Sequence, residues 1–80
     1  MRMSRPEPVR FLRTVATMAF PEGRLLALRD ARLHVLAPDG WTALGRERPP
    51  GSVWLSRAEA EQWCDTAGCD ARFLDNVPGD

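Results

Sequence analysis

Two cysteines, one histidine and three tryptophans are the residues of this chain with the most chemistry to offer. Cys64 and Cys69 stand in C-x4-C spacing, with His34 far upstream. Zinc sites use paired C-x2-C or closely spaced histidine ligands, and one ligand set is missing here, so no metal is expected. Cys64 falls on an apolar helical stripe, where a thiol behaves as a small hydrophobe, and both cysteines read as buried structural residues. A cysteine–histidine nucleophile pair would need a third, orienting group and a pocket, and the sequence signals neither. His34 therefore reads as a half-exposed strand histidine. There is no glycine-rich phosphate loop, no paired-carboxylate signature and no Ser/His/Asp order. The expectation is a non-enzymatic protein with no catalytic residue, no metal ligand and no cofactor.

What remains is contact chemistry. Trp63 belongs to the helical stripe and reads as core, whereas Trp41, after a PDG turn, and Trp54, just before a helix, are also candidates for interface anchors. All eleven basic residues are arginine and balance eleven acidic ones. A GC-rich coding genome is the ordinary cause of such usage. The other is selection for the planar, fork-like contacts that arginine makes better than lysine. Balanced charge disfavours a general nucleic-acid binder. The charge is nonetheless uneven: residues 1–13 carry a net +3 and residues 59–80 a net −5. Such asymmetry would let copies dock head to tail, although ordinary solvated surface explains it too. The candidate interface residues are Arg2, Arg5, Arg10, Trp41, Arg46, Arg48 and Trp54.

These residues have to be positioned by a small body. At 80 residues the chain forms one domain and buries only about 60–65% of its unfolded surface, which disfavours a deep cleft. Residues 1–8 read as a flexible arm, 9–75 as the domain and 76–80 as a flexible tail. No apolar run is long enough to span a bilayer, and no signal peptide is seen in the first 20 residues. VRFLRTVATMAF mixes a helical face (Val9, Leu12, Ala16, Ala19) with strand formers (Thr14, Val15, Thr17); strand over 9–17 is the preferred reading and helix the competing one. FPEG is a turn. In RLLALRDARLHVLAPDGWTAL, short apolar runs at 25–28, 33–37 and 41–44 end in turn chemistry, which favours a three-strand meander over one helix. Leu33, Val35 and Ala37 would then face one way, His34 and Leu36 the other.

The helix signal near residues 57–67 is the clearest. Ser56 and Glu59 form a capping box, Ala60, Trp63, Cys64 and Ala67 make an apolar stripe, and Gly68 supplies the stop. SVWL before it reads as a short extended segment, and 71–74 as a last strand. The expected fold is α+β: a small antiparallel β-sheet or partly open barrel of about five strands with one helix.

The stretch PPGSVWLSRAEAEQWCDTAGCDARFLD resembles a pattern in small bacteriophage and prophage proteins encoded among virion morphogenesis genes. That pattern is a proline–glycine turn, an apolar strand end, a capped S-x-x-E-A-E helix, a glycine and a final short strand. Pro50, Gly51, Val53, Leu55, Ser56, Ala58, Glu59, Ala60 and Gly68 fall on its positions, and VRFLRTVA resembles the opening strand of such proteins. The two stretches cover about half of the chain. Residues 20–45 intervene where those proteins pass almost directly to the turn, an added section available as a binding element. The resemblance implies a structural or assembly protein of a phage or phage-like particle, in capsid, neck or tail. Its partners would be other virion proteins and copies of itself, without membrane, and its location the virion or host cytoplasm. A second resemblance, PDGW followed by SRAE, is to MbtH-like proteins, small partners of nonribosomal peptide synthetases. Their SLWP and NPF hallmarks are absent and the spacing after GW is longer. It implies the alternative, a small cytosolic adaptor; a DNA-binding regulator using the N-terminal arginines is the other alternative.

Overall fold

The computed structural model describes residues 9–78. The expected N-terminal arm, with Arg2 and Arg5, lies outside them, as do residues 79–80. Five strands form one antiparallel sheet: β1 (Arg10–Arg13), β2 (Leu25–Arg29), β3 (Arg32–Ala37), β4 (Gly40–Gly45) and β5 (Val53–Leu55), in the spatial order β4-β3-β2-β1-β5. The sheet is not closed. One helix, α1 (Arg57–Ala67), follows β5, and a 3₁₀ helix (Ala71–Asp75) follows α1. The α+β expectation holds in this form.

The first strand is shorter than the expected 9–17. Thr14 ends it: its N–H still donates to the Arg24 carbonyl (3.0 Å), but its hydroxyl, not its carbonyl, accepts from the Arg24 N–H (2.7 Å). A side chain thus takes over the ladder and the backbone turns away. Gly23 makes the return possible, because at φ +73° it sits so close to Thr14 that a Cβ would collide with the Thr14 carbonyl oxygen. The meander forms as read. Its β2–β3 connection places both Asp30 (φ 53°) and Ala31 (φ 62°) in the left-handed region, the requirement of a two-residue type I′ turn. Along β3–β4, Leu33 pairs with Gly45 and His34 with Ala43, so Leu44 is an extra, bulged residue.

Both ends of α1 form as their residues dictate. Ser56 Oγ accepts from the Glu59 N–H (3.1 Å) while the Glu59 carboxylate accepts from the Ser56 N–H (2.8 Å). At the other end Cys69 N–H donates to the Cys64 carbonyl (2.8 Å) and Gly68 N–H to that of Asp65 (3.4 Å), a Schellman stop.

The expected strand at 71–74 is corrected. Asp70 caps a tight turn there, its carboxylate accepting from the Arg72 N–H and its carbonyl from that of Phe73. The edge of β1 is already occupied by β5, so the fifth strand precedes the helix. The 3₁₀ helix instead delivers Leu74 to the core. Val77, in the segment read as the start of a flexible tail, is also buried, and its carbonyl accepts from the Arg29 guanidinium (2.7 Å).

Strand alternation divides the sheet into two apolar faces. Phe11, Leu25, Ala27 and Leu36 meet Ala60 and Cys64 of α1, with Leu74 and Val77. Leu12, Leu26, Leu33 and Val35 form a second buried cluster on the opposite face. Because β4 and β5 lie on opposite edges, the connection between them, residues 46–52, has to cross one face. Arg48 lies over Trp54, the cross-strand partner of Leu12, which puts that connection on the face opposite the helix.

Candidate functional site

The structure gathers three of the seven candidate interface residues, and strand geometry decides which. Trp54 sits mid-strand in β5, directly opposite Leu12, so its indole projects from the helix-free face. Arg10, two residues before Leu12 on the same face of β1, is Trp54's diagonal neighbour. Its guanidinium carbon lies 3.8 Å from the indole centroid. Arg48 approaches the same ring at 5.3 Å. It is held by the turn that closes the connection, where Ser52 donates to the Pro49 carbonyl through both N–H (3.3 Å) and hydroxyl (2.8 Å). Pro50 and Gly51 form the middle of that turn, and Gly51 adopts the positive φ of 77° that a type II turn requires at its third position.

The result is one indole, 40% exposed at a sheet edge that no other strand covers among the described residues, with two guanidinium groups near its ring. Each cation–π contact contributes about 0.5–1 kcal/mol at an exposed site. A guanidinium that lies over a ring by its face keeps its in-plane N–H donors available.

The other two described candidates, Trp41 and Arg46, lie elsewhere. Trp41 is half-buried on the helix face, where its indole N–H donates to the Phe73 carbonyl (2.8 Å). Arg46 borders a small hollow of about 210 Å³ with Leu33, Ala43 and Gly45, away from the tryptophan. Trp63 packs against the helix-side core, and its indole N–H donates to the Glu22 carbonyl (2.9 Å).

His34 corrects its expectation: it is 8% exposed rather than half-exposed, because β3 is an interior strand between β2 and β4. Its Nδ1 is buried without a hydrogen-bond partner. Cys64 is fully buried, and that burial raises its thiol pKa; Cys69 is only half-buried. Among the described residues no three of His, Cys, Asp and Glu are grouped so as to hold a metal ion, and no helix is long and apolar enough to cross a membrane.

Among the described residues, the charged side chains after Ser56 are mostly paired. Arg57 bridges Glu61 (2.9 Å) and Asp75 (3.0 Å), and the Asp75 hydrogen bond is the main reason its pKa is raised. Arg72 clasps Asp70 (2.8 Å) and lowers its pKa. Ser56 lowers that of Glu59 through the cap. Much of the acidic segment is thus spent on internal contacts. Arg10 and Arg48 make no ion pair among the described residues, and both are exposed.

One feature had little signal in the sequence. A hollow of about 400 Å³ lies between the 19–24 loop, the end of β3 and α1, with Phe20, Leu36, Trp63 and Cys69 on its walls. Arg24 lies over the Phe20 ring at 4.4 Å. Phe20 in a turn, 43% exposed, is the one residue that could have pointed to it. Its titratable members are Glu22, Arg24 and Cys69, a set without an acid–base or nucleophile–base pair.

No known protein-family model, no curated protein and no solved structure matches this chain.

Proposed function

We propose that this chain is a non-enzymatic assembly protein acting through protein–protein contacts, as an accessory component of a phage or phage-like particle. The observation that carries the reading is the Arg10–Trp54–Arg48 cluster at the free edge of β5. Tryptophan and arginine are the side chains that most often dominate binding energy, and here they are held before any partner arrives. The particle assignment rests on the resemblance of residues 50–68 to small virion-associated proteins. Many copies on a lattice would make a modest contact strong in aggregate.

The MbtH-like alternative would act through Trp41, whose indole N–H is already engaged by Phe73. The DNA-binding alternative would use Arg2, Arg5, Arg10 and Arg13, of which Arg10 lies over Trp54, an exposed indole that is also a stacking platform for bases.

The test is mass spectrometry of particles purified from the source strain, with wild-type and Trp54→Ala chains compared. Stoichiometric presence of the wild type and a loss of at least about tenfold for the variant are expected, in line with an aromatic hot spot. Absence of the wild-type chain from purified particles overturns the particle assignment. Steeply salt-dependent binding of an oligonucleotide, lost with Trp54→Ala, selects the nucleic-acid alternative.

A further inference from the structure

Hydrogen-bond parity along β1 shows what the free edge of β5 offers. Thr14 donates to Arg24, the residue before β2, so residues 12 and 14 direct their backbone groups toward β2. Residues 11 and 13 must then direct theirs toward β5. Their partners, Leu55 and Val53, are consumed by that ladder, and the outward-facing backbone N–H and C=O of the strand belong to Trp54. The residue whose side chain carries the arginine cluster is therefore also the one with an open backbone pair.

Beside this edge, on the helix side, runs a hollow of about 350 Å³ bordered by Val53, Trp54 and Leu55 of the strand, by Arg13, and by Gln62, Trp63 and Thr66 of α1. Val53 is 45% exposed there. Glu22 and Glu59 border it too and offset Arg13, with Glu59 committed to the helix cap, so this side has no net positive charge to draw acidic side chains. The Trp54 side, with two exposed guanidiniums, favours them. A strand laid on the edge would present its residues alternately to these two environments.

We propose that the free edge of β5 takes up an extended segment of a partner protein as a sixth strand, with acidic residues on the Arg10–Trp54–Arg48 side alternating with apolar residues on the α1 side. This rests on the assembly reading and names its mode of contact. Main-chain pairing at Trp54 sets the register, and the alternation sets the choice of partner. The opposite edge, β4, is a poorer template because the bulge at Leu44 interrupts its ladder. Since β5 is three residues long, the backbone contributes little and charge must carry most of the selectivity.

The probe is a capped hexapeptide of alternating glutamate and valine, titrated into the isotope-labelled full chain and followed by amide chemical shifts and hydrogen exchange. Saturable shifts centred on Val53–Leu55 are expected, with slowed exchange at the Trp54 amide. The lysine–valine counterpart, and Arg10→Gln/Arg48→Gln protein, should each bind at least about tenfold more weakly. The glutamate peptide N-methylated at alternate residues should bind no better than the lysine peptide. Equal binding of the N-methylated peptide would overturn strand addition, as would shifts confined to β4 or no shifts at millimolar peptide. Should Trp54-dependent incorporation into particles persist alongside any of those three results, the assembly reading stands and only the strand-addition mode fails.

Discussion

Ala31 shows most sharply what a single residue contributes and costs. The β2–β3 connection needs two left-handed residues; aspartate tolerates that conformation, but alanine's Cβ makes it unfavourable by about 1–2 kcal/mol. Ala31→Gly is therefore expected to stabilise the protein by up to about 1 kcal/mol after glycine's added chain entropy, read from the urea midpoint at unchanged slope. The same residue explains why a helix competed for this segment in the sequence. An Asn-Gly or Asp-Gly pair announces a hairpin, whereas Asp-Ala inside LLALRDARLHVL reads equally well as helix. Trp54 and Arg48 were individually legible as contact residues. Their meeting on one ring was not, because it depends on a pairing between β1 and β5 forty residues apart in the chain.

At the scale of elements, α1 is the part written most completely in local sequence. Ser56→Ala should cost about 1 kcal/mol by removing the acceptor that serves Glu59 N–H. Glu59 has its pKa lowered by its hydrogen bonds to Ser56. A carboxylate whose folded value lies below its unfolded one adds stability that is complete above the unfolded range. That stability is lost as pH falls through the lowered folded value. Glu59→Gln keeps a side-chain acceptor for the Ser56 N–H but cannot titrate. Its unfolding midpoint should therefore fall less steeply than the wild type's between neutral pH and about pH 3, with denaturant titrations at each pH as the measurement. The 3₁₀ helix at 71–75 teaches the opposite lesson. ARFLD has the apolar content of a strand, but it pairs with no strand of the sheet. Asp70's cap and the prior occupancy of β1's edge by β5 turn it into a tight turn instead.

For the whole molecule, the distinctive feature is a sheet with buried side chains on both faces and, among the described residues, a helix on only one. If the helix-free face is a true core, truncation there should cost as much as on the helix side. Leu12→Ala is expected to lose about 2–5 kcal/mol and Phe11→Ala about 3–5 kcal/mol, measured by equilibrium unfolding. A loss under about 1 kcal/mol for Leu12→Ala would mean that face carries little of the stability.

The sequence by itself determined what depends on neighbours within a few residues. The capped helix, its glycine stop, the breaks between the meander strands and the alternation along β3 all follow from side chains acting on their own backbone. Only the tertiary structure decided what depends on edges and faces: that β5 rather than residues 71–74 completes the sheet, that His34 is enclosed, and that Arg10 and Arg48 close on Trp54. Those outcomes turn on which strand reaches the β1 edge and which face residues 46–52 must cross. Local propensity carries no record of either.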